Sequence, residues 1–189
     1  MKTLIALILI VLMIVSNQST DIEKSKENFS VYLSEIESVI SENGYDCEII
    51  KVSVSGNEQK EWYEETYTTS YNGYELKIVL QYGYSGSLSG CIFDRNKWDS
   101  VSLWLSIPRD GVTSIDSNLF LKIVNRLSKE DVPIEENEDY INGFVERSKL
   151  YIMYEETKGF GYYVDTNLIL DVYREKIVIC SGINQPKLK

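Results

Sequence analysis

The chain contains no histidine. That absence removes Ser-His-Asp and Cys-His nucleophile activation, HExxH zinc chemistry and the usual proton shuttle near neutral pH, so any catalysis falls to carboxylates, Tyr, Lys or Cys. Basic residues are scarce too. Against 29 Asp+Glu there are only 19 Lys+Arg in 189 residues, for a formal charge of −10 and a pI near 4.6. A phosphate backbone is bound largely by clustered Lys and Arg, so this balance excludes nucleic acid as a partner. The three cysteines are widely spaced, with no CxxC pattern, which speaks against a zinc site; neither a metal nor a cofactor is expected. Wholesale disorder is excluded by a hydrophobic share of 43%.

The longest apolar run stands at the front. In MKTLIALILIVLMIV one Lys precedes an unbroken stretch from Leu4 to Val15, and the polar segment SNQSTDIEKSKE follows at once. This is the n-region and h-region order of an export signal. Twelve helical residues reach about 18 Å, short of the roughly 30 Å of bilayer hydrocarbon, so a comfortable spanning helix is the weaker reading. Ser16 and Ser19 are small, but neither completes an A-x-A-like cleavage site, which leaves an uncleaved signal anchor as the alternative to release. Residues 1–19 are therefore read as signal peptide or signal anchor, and residues 20–189 as a single domain outside the cytoplasm. There Cys47, Cys91 and Cys180 meet oxidising or redox-neutral conditions. One disulfide with a spare thiol, in any of three pairings, competes with three small buried hydrophobes.

From Thr20 to Gly44 the spacing of Phe29, Leu33, Ile36 and Ile40 predicts a helix with one apolar face, begun by Thr20 with Glu23 or by Ser25 and stopped by Gly44. The period then changes to two. Cys47–Val54 and Trp62–Tyr71 are strand-like, Asn72-Gly73 is a hairpin turn, and Tyr74, Leu76, Ile78, Leu80, Tyr82 and Tyr84 alternate behind it. Val101, Leu103, Leu105 and Ile107 alternate again. Helices follow over about 116–129, with Ser114 or Asp116 as N-cap, and after Pro133. Three further strands fill Leu150–Ile183, with turns near Lys158-Gly159 and Arg174-Glu175. Strands joined by short turns, with the helices grouped, predict an α+β domain: an antiparallel sheet with helices packed on one face, preceded by the apolar signal or anchor segment.

Motifs that carry chemistry are few. The glycine-rich segment Gly83–Gly90 lacks the Gly-Lys-Ser/Thr of a phosphate loop and reads as a connection between strands. Glu64/Glu65, Glu135/Glu136 and Glu155/Glu156 are adjacent carboxylates, which on a strand point to opposite faces, and each pair reads as solvated surface. Asp94-x-Asn96-x-x-Asp99 lacks the spacing, glycine and closing Glu of an EF-hand and reads as a turn. Asn28-Phe29-Ser30 matches a glycosylation sequon inside a predicted helix. Aromatics are in excess, with 14 Tyr and three Trp. Trp104 is out of phase with Val101, Leu103, Leu105 and Ile107, so it faces away from the core those residues build. With Tyr84, Phe93 and Trp98, which flank the glycine loop, it forms the expected ligand-binding set; no catalytic residue is assigned.

These features point to a non-enzymatic extracytoplasmic domain, secreted or held to the membrane only by its N-terminal segment, that contacts a protein or a cell-envelope glycan through an aromatic face. A small carboxylate-dependent extracellular hydrolase is the enzymatic alternative, and a structural subunit of an envelope complex is the third reading. A tagged chain is expected in the membrane fraction or outside the cell; its recovery from the cytosol with residues 1–15 intact would contradict the export reading.

Overall fold

Among the described residues ten elements follow one another: α1 Lys2–Glu42, β1 Ile50–Asn57, β2 Trp62–Tyr71, β3 Tyr74–Gly83, β4 Trp98–Pro108, α2 Asn118–Leu127, α3 Ile134–Ser148, β5 Thr157–Tyr162, β6 Thr166–Val172 and β7 Lys176–Asn184. The structure is a computed structural model that describes residues 2–57, 62–83, 98–108, 116–129, 131–148, 157–162, 166–172 and 176–187. Side chains are described for residues 21–57, 62–83, 98–108, 116–129, 131–143, 168–170 and 176–187.

The strands form one seven-stranded sheet in the order β1-β2-β3-β4-β7-β6-β5, antiparallel at every pairing. Two meanders meet at its centre, where β4 pairs with β7. Between them the chain passes through α2 and α3 and enters the sheet again at its far edge. The expected α+β class is what the chain adopts.

Alternation decides which side of the sheet is sealed. Leu76, Ile78 and Leu80 on β3, Val101, Leu103, Leu105 and Ile107 on β4, and Ile179 and Ile183 on β7 are fully buried on one face, together with Leu170 on β6. The helices cover that face. α2 contributes Phe120, Leu121, Ile123, Val124 and Leu127 to the same core, and α1 contributes Phe29, Tyr32, Ile36, Val39 and Ile40. Arg126 of α2 clamps the two helices by binding Glu35 at 3.0 Å and Glu42 at 2.8 Å of α1. The wide apolar stripe expected of a helix on a sheet is thus complete.

The helix predicted from Thr20 begins instead at Lys2, so neither Thr20 nor Ser25 caps it. No Pro or Gly precedes Gly44, and nothing in the polar stretch breaks the helix. Ser25, considered as a cap, is buried in the helix face. Among the described side chains of α1, packing against the core begins with Ile22. From Ile22 to Glu42 the helix covers about 31 Å at 1.5 Å per residue, which matches a ten-residue strand of about 33 Å.

The end of α1 is as expected. Gly44 has φ +84°, its N–H reaches Ser41 O at 2.9 Å, and Tyr45 N–H reaches Ile40 O at 3.3 Å, the paired bonds of a Schellman cap. The β2–β3 hairpin turns on Asn72 (φ 51°) and Gly73 (φ 76°), the positive pair a tight hairpin needs. At α2, Ser117 holds the N-cap position without a side-chain bond, while Asp116 Oδ1 accepts from Asn118 N–H at 3.3 Å. Lys158-Gly159, expected as a turn, lies inside β5 opposite Asp171 and Leu170. The expected strand near Leu150, the cap Ser114 and the Arg174-Glu175 turn lie outside the described residues.

Leu103→Ala at the sealed centre is expected to cost about 2–5 kcal/mol, whereas Ile50→Ala on exposed β1 is expected to stay within about 0.5 kcal/mol, both read from urea unfolding midpoints.

Candidate functional site

Because the helices take one face of the sheet, the residues between the core positions point to the other. On β4 these are Trp98, Ser100, Ser102, Trp104 and Ser106, all half-buried. Trp62 joins them from β2, since its neighbour Tyr63 faces the helices and stacks on Phe29 at 6.0 Å between ring centroids. All three tryptophans of the chain therefore share the face that no described helix covers.

They do not share one spot. Trp98 and Trp104 are six residues apart on β4, about 20 Å along the strand. Trp104 sits between Lys77 of β3 and Cys180 of β7 in the register, and Cys180 is buried between Trp104 and Ile169. Trp98 lies opposite Gly83. One step beyond the Tyr63–Tyr82 pair, Trp62 comes opposite Gly83 from the other side. Trp62 and Trp98 thus stand at the same end of the sheet on the strands either side of β3, their backbone positions about 10 Å apart. Gly83 has φ 140°, a backbone state that favours glycine. The next row is polar, running Glu64, Gln81, Ser100 and Asn184, each half-buried. The Trp98 indole N–H is buried and makes no hydrogen bond.

Tyr84 and Phe93, expected beside Trp98 and Trp104, lie outside the described residues. The register gives Trp98 a different companion, Trp62. The signal for it was present in the sequence, as Trp62 is out of phase with Tyr63, Tyr67 and Tyr71, but strand order was needed to bring β2 beside the start of β4.

The helix-facing side carries two carboxylates near its edge. Glu65, read as solvated surface, is only 7% exposed because its strand partners place it among the core positions, while Glu64 points the other way. Glu65 accepts hydrogen bonds from Lys51 Nζ at 2.8 Å, from Tyr63 OH at 2.6 Å and from Tyr67 OH. Burial works to raise its pKa, but these three donors outweigh it and hold the carboxyl below the usual range. Burial and the same carboxylate push Tyr63 up to about 12. Such a group is an ionised acceptor, not a proton donor. Asp99, expected in a turn, belongs to β4 and receives Asn28 Nδ2 at 2.6 Å and Tyr32 OH at 3.3 Å on Oδ2. The sequon Asn28 is consumed in that contact. Glu135 and Glu136 are exposed at the start of α3, and Asp94, Asn96, Glu155 and Glu156 lie outside the described residues.

A broad open groove of about 760 Å³ runs beside the start of β1 and the β2–β3 turn, where Asp46, Glu48 and Glu75 meet Cys47, Ile50 and Tyr74. All three carboxylates are exposed to solvent, not enclosed by apolar walls as a general acid requires. Burial pushes the Cys47 thiol up, with Glu37 adding to it against the opposing Thr69 contact, so this sulfur is a poor nucleophile. Cys47 and Cys180 lie on different sides of the sheet, which rules out a disulfide between them; Cys91 lies outside the described residues. Among the described residues no group of His, Cys, Asp and Glu is arranged to hold a metal ion.

No protein-family model, curated protein or solved structure matches the chain.

The Glu65 network sets a pH dependence. Its folded pKa lies below the ordinary value of 4.5, so its stabilisation is complete above that value and is lost as pH falls through the folded pKa. Glu65→Gln is expected to lower stability by about 1–3 kcal/mol at neutral pH, with the gap to wild type closing below about pH 4 in urea titrations. A gap that stays constant down to acid would show that the carboxylate is not ionised in the folded protein.

Proposed function

We propose that this chain is a non-enzymatic interaction domain that works outside the cytoplasm and contacts its partner, a protein or a cell-envelope glycan, through the face of its sheet opposite α1 and α2. The observation that carries the reading is the placement of Trp62, Trp98 and Trp104 together on that face. Exposed tryptophan area is costly to leave in water, and aromatic side chains concentrate where a partner supplies the missing cover.

Two further points support the reading. The helix that packs on the sheet continues without interruption into the apolar run 4–15, and the stretch from Ile22 to Glu42 already spans the length of a strand. A continuous helix of this kind suits a tether that holds the domain close to a membrane, and a signal that is cut would leave the packed half of α1 intact. Among the residues with described side chains, no helix is long and apolar enough to cross a membrane, and the run 4–15 is not among them. Secondly, the described carboxylates are poorly suited to a hydrolase: Glu65 is held ionised by three donors, and Asp46, Glu48 and Glu75 are exposed.

The test is capture from a cell-envelope extract by the immobilised domain. Wild type is expected to retain a component that Trp104→Ala and Trp98→Ala retain less, with the thermal unfolding of the variants within a few degrees of wild type. Identical partners and yields for all three proteins would remove this face from consideration.

A further inference from the structure

We propose that the cavity between the end of α1, α2 and the segment after β7 binds a terminal, doubly charged phosphate group through Lys122 and Lys187. This cavity belongs to the helix layer and shares no residue with the tryptophan face.

Charge gives the first reason. The chain holds 29 acidic residues against 19 basic ones, yet this open cavity of about 240 Å³ is lined by Lys122, Arg126 and Lys187 and by one carboxylate, Glu42. That carboxylate is already occupied. Its Oε1 accepts from Ser38 Oγ at 2.7 Å and its Oε2 from Arg126 Nη2 at 2.8 Å, while Arg126 Nη1 binds Glu35 at 3.0 Å. The two lysines have no such match. Lys122 Nζ donates at 2.8 Å to Asn43 Oδ1, a neutral acceptor, and among the described residues no carboxylate pairs with either ammonium. Two uncompensated positive charges on one small cavity, in a chain with a formal charge of −10, call for an anion.

The second reason is that both lysines are placed before any ligand arrives. Asn43, which holds Lys122, is itself anchored to the end of α1 by Nδ2 donating to Val39 O at 2.7 Å. Lys187 is fixed at its backbone, where its N–H donates at 2.9 Å to the carbonyl of Leu127, the last residue of α2. Side chains that rise from such a fixed frame lose less freedom on binding than side chains on mobile loops.

The class of anion follows from size and charge. The cavity is smaller than the roughly 300–1,000 Å³ of pockets that enclose a drug-sized ligand, so it takes an end group and not a whole cofactor or a stretch of chain. A terminal phosphate carries about −1.5 to −2 at pH 7, which matches two ammoniums. A carboxylate or a phosphodiester carries a single charge and would leave one of them unmatched. Lysine also serves phosphate as a point charge, whereas the planar fork that suits a carboxylate, Arg126, is taken by Glu35 and Glu42. Val39 and Ile134 complete the lining with apolar surface on which a short carbon stem can rest.

The experiment is a titration of the isotope-labelled full chain, in non-ionic detergent at constant ionic strength, followed through its backbone amide resonances. Glycerol 3-phosphate and inorganic phosphate are the two probes, and dimethyl phosphate, a singly charged diester, is the comparison. Saturable shifts centred on Asn43, Lys122 and Lys187 are expected with a Kd of about 1 mM or tighter, and far weaker binding of the diester. Tighter binding of glycerol 3-phosphate would assign the group to an organic ester, and equal or tighter binding of the ion would assign it to free phosphate. Lys122→Gln and Lys187→Gln are each expected to weaken binding about tenfold, the loss of one charged hydrogen bond. Lys77→Gln, an exposed change on the opposite side of the sheet, is expected to leave it unchanged. The inference is overturned by the absence of saturable shifts up to about 20 mM of either probe, by unaltered affinity in Lys187→Gln, or by dimethyl phosphate binding as tightly as the doubly charged probes. A loss in Lys77→Gln as large as in the cavity variants would likewise show diffuse attraction in place of a site.

Discussion

The structure depends on one constraint: the described helices lie on one side of a seven-stranded sheet and seal that side alone. Leu103 and Leu105 at the sheet centre are fully buried because α1 and α2 lie over them, and the same alternation turns Ser102 and Trp104 outward. Sealing one side therefore fixes the character of the other. Serine and threonine on the open side need no cover, but tryptophan does. The concentration of all three indoles there follows from the pattern of core positions, and it is the property from which the functional reading is built.

Charge is arranged around this layer rather than through it. Glu65 and Asp99 both occupy helix-facing positions, yet both lie at the margin of the buried region and both take donors from neighbouring elements: Lys51 and two tyrosines for Glu65, Asn28 and Tyr32 of α1 for Asp99. Glu65 exchanges water for fixed donors on both oxygens, which is how a carboxylate survives near a core, whereas Asp99 does so on Oδ2 alone and leaves Oδ1 buried without a partner. The Lys51–Glu65 pair also ties edge strand β1 to β2 across the bulge at Val52. An irregular edge of this kind resists pairing with other chains even where Ile50, Val52 and Val54 are exposed.

Much of the fold was legible in the residues. The 3.6-residue spacing of Phe29, Ile36 and Ile40, the Asn72-Gly73 turn and the alternation from Val101 to Ile107 are local signals, and each produced the element it specifies. What local signals cannot carry is neighbourhood across the sheet. Trp62 is distant from Trp98 in the chain, and only the β2-β3-β4 order makes them neighbours. Glu65 was misjudged for a related reason: adjacent glutamates look alike in sequence, and the pleat sends one to water and the other to three waiting donors. The start of α1 was misplaced because a polar segment and a capping-box spacing suggest a boundary, whereas a helix with no breaker simply continues.

The measurement that bears most directly on this two-sided sheet is acrylamide quenching of the native protein's tryptophan emission, analysed for the accessible fraction. With all three indoles half-exposed on the face opposite α1 and α2, the whole of the emission is expected to be quenchable in the folded protein. A residual component that acrylamide cannot reach until the protein is unfolded would place at least one tryptophan inside a sealed layer and contradict the account.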